Sequence, residues 1–449
     1  MHDAQFPGFS GVFYATAVCF ALVFCLSAEP SLADDSDLIG QERTWRTPDQ
    51  LTAVELKRVD ISAPKSTASA LQLPEGEWPF KAPYSAQEIG YRLMDFTHAP
   101  RWSHVVADAY GVLTKSGYLS QGVTVGMVQQ VYDPGAQGQI DSKPGEIHQR
   151  QIFFYTYPPK DKGLQSMWSM RRTGPENHTK LDSFIYSPEL RRVRRQPSPR
   201  RETPFTNMVQ SYDDISGREA WEFNWRILGA DTLYETVRFP VTRKQITLSR
   251  SDGSFYDVPT TEFKMMSERY PFYRVDGGID CFVVVSEPKR DWLPDYKVSK
   301  LIYWVDQFYL YPLRIEQYDE NGDLKTVQVR FGQQDNKNLS EGYGYTNIIS
   351  VYYDVQRDLI SYSVHDGLML HTWTEEEIEM FTPDFLRRRW LKYPRQSQSL
   401  VLNPEQFYLR PKLLKDRFPM ERSIDVAPDV LVRIEAQERN GYLTFSEIE

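Results

Sequence analysis

From Gly111 to Val364 apolar side chains recur at every second position over many short runs, the period of a half-buried strand. The cleanest run is "EAWEFNWRILG", where Trp221, Phe223, Trp225 and Ile227 alternate with Glu222, Asn224 and Arg226. The same period marks "GVLTKSGYLSQGVTVGMVQQVYD", with a tight turn at Lys115–Gly117, then "HQRQIFFYTYPP", "SMWSMRR", "DCFVVVSEP", "SKLIYWVD", "YPLRIEQYD", "LKTVQVRFG", "NIISVYYDV" and "LISYSV". Asn321-Gly322 inside "DENGD" is a hairpin signal. Roughly ten or more strands with short connections predict one large antiparallel sheet. There is no alternating strand–helix–strand pattern and no repeat of fixed period.

Helical periodicity is confined to the flanks. "TPDQLTAVELKRV" predicts one short helix, with Thr47 as cap, Pro48 at the first position and Leu51, Val54 and Leu56 on its apolar side. "SAQEIGYRLMDFT" predicts a second, with Ser85 and Glu88 at capping-box spacing and Ile89, Leu93 and Phe96 on one face. "TEEEIEMFTPDFLRRRWLKYP" predicts two short helices split at Thr382-Pro383. The pattern divides the chain into residues 1–33, a turn-rich lead-in 34–83, a main body 84–392 and a polar, Pro-rich extension 393–449 that wraps the body.

The first segment changes the compartment. Val12–Ala28 is an uncharged apolar run, followed by Ser31 and Ala33 at the small-residue positions of a cleavage site before Asp34. This reads as an export signal cleaved near Ala33, although "MHDAQFPGFSG" carries no Lys or Arg; the alternative is an uncleaved anchor. Two of the three cysteines, Cys19 and Cys25, fall in that segment. The mature chain keeps Cys281 alone, which cannot form an internal disulfide and reads as a buried small hydrophobe. An exported chain of this kind depends on core burial, which 449 residues with 41% hydrophobic and 14% aromatic side chains can supply.

Formal charge is −9, yet "LRRVRRQPSPRR" concentrates Arg191, Arg192, Arg194, Arg195, Arg200 and Arg201. A nucleic-acid interface needs a broadly basic domain, whereas this charge is local and the chain is exported. Arginine stems can cover apolar surface, and their heads can pair with carboxylates or hold an anionic group. Strand alternation places Arg191 and Arg195 on one side with Val193, and Arg192 and Arg194 on the other.

No other pattern specifies chemistry. His98, His104, His148, His178, His365 and His371 lack metal-ligand spacing. There is no Gly-x-Ser-x-Gly elbow and no phosphate loop; "GYGY" at Gly342–Tyr345 is too short. Asp213-Asp214 reads as a turn-forming pair rather than an acid–base couple. "ERNGYLTFSEIE" imitates half a calcium loop, but Ala436 stands at the first ligand position.

Several stretches in order resemble an exported bacterial domain-of-unknown-function family related to the outer-membrane lipoprotein-sorting proteins (LolA/LolB-like). They are "YSPELRRVRRQPSPRRETPF", the "YDD" of Tyr212–Asp214, "WEFNWRILGADTLY", "YWVDQFYLYPLRIEQYDENGDL", "YYDVQRDLISYSV" and "FTPDFLRRRWL". The resemblance covers about Tyr84–Lys392; the extension 393–449 departs from it. It implies a mainly β fold: a large curved antiparallel sheet forming an unclosed half-barrel, with helices plugging its concave face. It also implies a cavity for acyl chains, no cofactor and no enzymatic step. On that reading the chain is a periplasmic carrier of lipoprotein acyl chains or another hydrophobic ligand. Trp221, Phe223 and Trp225 form the wall and Ile89, Leu93 and Phe96 the lid. Arg191, Arg192, Arg194 and Arg195 contact anionic groups or an inner- or outer-membrane transport partner. The alternatives are an envelope sensor or scaffold that binds a protein, and an envelope-polymer hydrolase.

Overall fold

The computed structural model describes residues 43–386, apart from 63–79, 97–102, 115–116, 132–143, 158, 199, 206–207, 234–244, 250–254, 260–277, 334–345, 371–372 and 374–377. The expected export segment, the extension 393–449, "GYGY", His98, His371 and the calcium-like sequence lie outside these residues.

Seventeen strands are described. They are β1 (Val59–Asp60), β2 (Tyr84–Ser85), β3 (His104–Thr114), β4 (Gly117–Gln130), β5 (Ile147–Tyr157), β6 (Gln165–Arg171), β7 (Leu181–Ser187), β8 (Arg192–Gln196) and β9 (Phe223–Leu233). Then follow β10 (Gln245–Ser249), β11 (Phe255–Pro259), β12 (Ile279–Pro288), β13 (Val298–Asp306), β14 (Pro312–Asp319), β15 (Leu324–Gln333), β16 (Thr346–Asp354) and β17 (Leu359–Leu370). Thirteen of them form one sheet in the order β8-β7-β6-β5-β4-β3-β17-β16-β15-β14-β13-β12-β9. Every pairing in it is antiparallel. The sheet does not close: β8 and β9 are its two edges. Among the described residues the fold is thus mostly β, in one large antiparallel sheet as the alternation predicts, with few helices and no closed barrel as the resemblance implies. Short β1 and β2 pair in parallel, and β10 and β11 form a separate hairpin.

The hairpins follow the local chemistry. Between β14 and β15, Gly322 takes φ 89° and its N–H bonds Asp319 O at 3.1 Å, the turn that Asn-Gly signalled. Ser85 caps the helix Ala86–Tyr91, accepting from the Glu88 N–H while the Glu88 carboxylate accepts from the Ser85 N–H. The coil continues as a wider turn over Arg92–Phe96.

Three local expectations need correction. Residues 47–59 do not form one helix but two 3₁₀ turns, Pro48–Gln50 and Glu55–Lys57. Leu51 is buried while Val54 and Leu56 are exposed, so no continuous apolar stripe exists to hold a helix down. Glu55 turns inward instead, accepting from the Thr52 N–H and from Arg46 and Gln307. Secondly, Trp221 belongs to a 3₁₀ turn, Ala220–Glu222, and the strand begins only at Phe223. Thirdly, Asp213 and Asp214 sit in the helix Tyr212–Ser216, capped by Ser211, not in a turn.

Candidate functional site

Directly paired residues share a face of a sheet, so the registers sort the side chains into two sides. On the first side, Phe223, Trp225 and Ile227 of β9 join Phe282 and Val284 of β12, Leu301 and Tyr303 of β13 and Ile315 of β14. The helix Ala86–Tyr91 lies on this patch with Ile89, and Leu93 follows in the same core. The approach is closest at Gly90, where any Cβ would overlap the Trp225 indole. The indole N–H of Trp225 donates to Ala220 O at 2.8 Å. Trp221 stands apart in a small cluster with Tyr91 and Ala220, its N–H bonded to Thr173 O at 2.9 Å.

Phe223 and Trp225 thus lie under the helix expected as their lid, Trp221 packs beside its end, and these side chains with Ile89 and Leu93 are all buried. Phe96 ends the helical turn; its side chain lies outside the described residues.

Residues 201–205 and 208–222 lie on the same side as a strap. Phe205, Tyr212 and Ile215 pack on Trp168, Met170 and Leu181 of β6 and β7. Val209 packs on Val112 and Tyr352 of β3 and β16. Charged bonds anchor the strap. Arg201 donates to Asp213 at 2.8 Å and, through both terminal nitrogens, to Glu222 at 2.5 and 2.8 Å. Tyr296 donates its hydroxyl to Asp213 at 2.6 Å, and Arg218 donates to Tyr296 at 3.0 Å and Gln317 at 3.2 Å. Glu219 receives Arg172 at 2.8 Å and also Lys180. Burial by itself would raise the Asp213 and Glu219 pKa values, but the adjacent Arg201 and Arg218, and Lys180 and Arg172, hold them below the usual carboxylate range. The sequence showed these as scattered arginines and acids; only the fold pairs residues so far apart.

The other side of the sheet differs in chemistry. Paired rows run Val329–Val351–Tyr362 across β15, β16 and β17, and Val125–Phe154 and Met127–Ile152–Met167 across β4, β5 and β6. All eight side chains are buried. Gln165, paired between Phe154 and Tyr186, is 0% exposed, and neither its amide nitrogen nor its oxygen has a hydrogen-bond partner. This side also carries the fully buried Arg314–Glu316 ion pair, with Arg314 directly paired to Val329, and buried Gln129 and Ser169, while the strap side carries buried Gln149, Gln151, Ser183, Gln328, Ser350 and Ser361.

The arginine stretch lies at the far edge from β9. β7 and β8 form a hairpin closing at Ser187 and Arg192. Arg191 is not on the strand as expected: it sits in the turn, at φ 47°. Arg192 and Arg194 share one side of β8 and Arg195 faces the other, where it pairs with Asp182, which also receives Arg171. Arg191, Arg192, Arg194 and Arg195 are exposed. The hydrophobic candidates and the arginines thus occupy opposite edges of the sheet and do not form one site. Among the described residues no cluster of three or more His, Cys, Asp or Glu could hold a metal ion.

Residues 36–387 match the family described as Protein of unknown function (DUF1329). The chain belongs to the DUF1329 family. No curated protein matches it. Among solved structures it is similar to a DUF1329 family protein from Desulfovibrio piger, at 14% identity and a TM-score of 0.45 over 67% of this chain and 97% of that one. It is also similar to an outer membrane lipoprotein-sorting protein domain from Vibrio parahaemolyticus, at 16% identity and a TM-score of 0.44 over 68% and 97% of the two chains. A LolA superfamily protein from Nitrosomonas europaea matches at 15% identity and a TM-score of 0.37 over 67% and 98%. Among the described residues no helix is long and apolar enough to cross a membrane.

Proposed function

We propose that this DUF1329 protein is a periplasmic carrier that binds lipoprotein acyl chains, or another hydrophobic ligand, and releases it without covalent chemistry. The observation that carries the reading is the apolar field on the side of the sheet away from the helix and strap. A ligand of acyl chains needs a broad wall with few polar groups, each placed to fix orientation. Val125, Met127, Ile152, Phe154, Met167, Val329, Val351 and Tyr362 supply the wall. Gln165 supplies a polar group: a buried amide without a partner costs about 1–3 kcal/mol, which a ligand carbonyl or hydroxyl would offset.

This relocates the wall. The helix Ala86–Tyr91 and residues Trp221, Phe223 and Trp225 hold the β9 edge together and serve the site by stiffening the sheet, rather than as lid and lining. The arginine hairpin at the β8 edge contacts anionic groups or a membrane transport partner, and nucleic acid has no part. Residues 1–33 act as the export signal, and 393–449 as an extension beyond the matched family region.

The test is displacement of a fluorescent fatty acid. Met127→Asp or Val329→Asp should abolish displaceable binding, while Val54→Asp, at an exposed position in the lead-in, should leave it intact. Equal binding in all three would refute the placement. No binding by the wild type would favour a scaffold that docks a protein; the solid packing of the helix end of the sheet supports that second reading.

A further inference from the structure

The β7–β8 hairpin carries a feature that cargo binding does not require. Its turn, residues 188–191, presents Leu190 at 51% exposure, one of few large apolar side chains so open among the described residues. Leu190 is held by its N–H, which donates to Ser187 Oγ at 3.3 Å. Arg191 and Arg192 follow it directly, and Arg194 shares Arg192's side of the strand. The turn between β5 and β6 stands beside this tip: the position of a Cβ on Gly163 is 3.6 Å from Pro188 Cγ. That turn adds exposed Lys160 and Lys162. Against these five basic groups stand Asp161, partly buried, and Glu189. Asp182 and Glu202 are committed to Arg171 and Arg195, and to Arg200.

We propose that this corner of the sheet docks on an anionic lipid surface, with Leu190 entering the headgroup boundary and Lys160, Lys162, Arg191, Arg192 and Arg194 meeting lipid phosphates. An apolar tip ringed by long cationic side chains is the arrangement that binds an interface by insertion and attraction together. The opposing macromolecule, an acidic polypeptide added as a strand along β8, would use the open edge. It would leave Leu190 and the two lysines of the neighbouring turn without a role, so the membrane surface accounts for more of the corner. With an overall charge of −9, attraction to an anionic bilayer depends on a local excess of cations such as this one, which orients the molecule edge-on.

Each basic residue near an anionic membrane strengthens binding about five-fold. The test is flotation of the full chain with phosphatidylcholine vesicles, with and without phosphatidylglycerol, at low and high salt. Expected is binding that needs phosphatidylglycerol, weakens with salt, falls at least about 25-fold in R192E/R194E and falls several-fold in L190D. These residues are exposed, so melting curves should match the wild type and a lost fold is separable from lost docking. Equal binding to both vesicle types, or no loss in R192E/R194E, would overturn the proposal. So would hairpin-dependent binding to polyglutamate without vesicle binding, which would assign the edge to an acidic polypeptide. The vesicle comparison does not involve cargo, so it stands or falls separately from the carrier reading.

Discussion

Gly90 sits flat against the indole of Trp225, with no room for a single added methyl group. In an exposed helix, Gly→Ala gains about 1 kcal/mol from backbone entropy. Here the new methyl would push the helix off β9, at a cost of typically 1–3 kcal/mol. Gly90→Ala should therefore destabilise the protein, reversing the usual sign. Urea unfolding monitored by tryptophan fluorescence measures it.

The packed helix end leads to a second expectation. Trp225→Ala should cost about 3–5 kcal/mol, because it empties a core position rather than a ligand wall. Fatty-acid binding per folded molecule should remain. A variant that folds as well as the wild type but loses ligand would return the wall to β9.

Much of this architecture was legible as alternation. The strand runs, the Asn-Gly hairpin and the Ser85–Glu88 cap depend on neighbours in sequence, and each appears where the local pattern put it. What escaped were relationships set by register. Trp221 keeps the right parity with Phe223, yet the chain turns between them, because the Glu222 carboxylate is drawn to Arg201 and Thr173. Arg191 continues an arginine run, but closing the hairpin at Ser187 and Arg192 leaves it in the turn. The face bearing Gln165 could not be told from the sequence, since both sides of this sheet are buried and strand period alone assigns neither.

The strap anchors predict an acid response. Asp213 and Glu219 have pKa values lower in the folded protein than in the unfolded chain, whose ordinary values are 3.8 and 4.5. Their contribution is complete above those values and declines as pH falls below them, because folding must then hold carboxylates that the unfolded chain protonates. Thermal stability should be level near neutrality and drop below about pH 4.5. Asp213→Asn should flatten part of that drop. It should also cost about 3–5 kcal/mol at neutral pH by leaving Arg201 and Arg218 short of a counter-charge. Melting curves across pH read both effects.

Gln165 separates a structural from a ligand role. In ligand-free protein, Gln165→Met removes two buried polar atoms without partners and should stabilise the fold by about 1–3 kcal/mol. In the loaded protein the same change should weaken retention of a lipid whose polar group bonds the amide. Stabilisation of both forms with no change in ligand affinity would make Gln165 a plain core defect.

The most direct measurement of the carrier account is native mass spectrometry of the protein purified from the bacterial envelope, with lipid extraction in parallel. The account predicts a stoichiometric apolar ligand that is retained in Val54→Asp, an exposed position outside both proposed surfaces, and lost in Met127→Asp. A bare polypeptide mass, unchanged after incubation with lipids and lipoproteins, would contradict it.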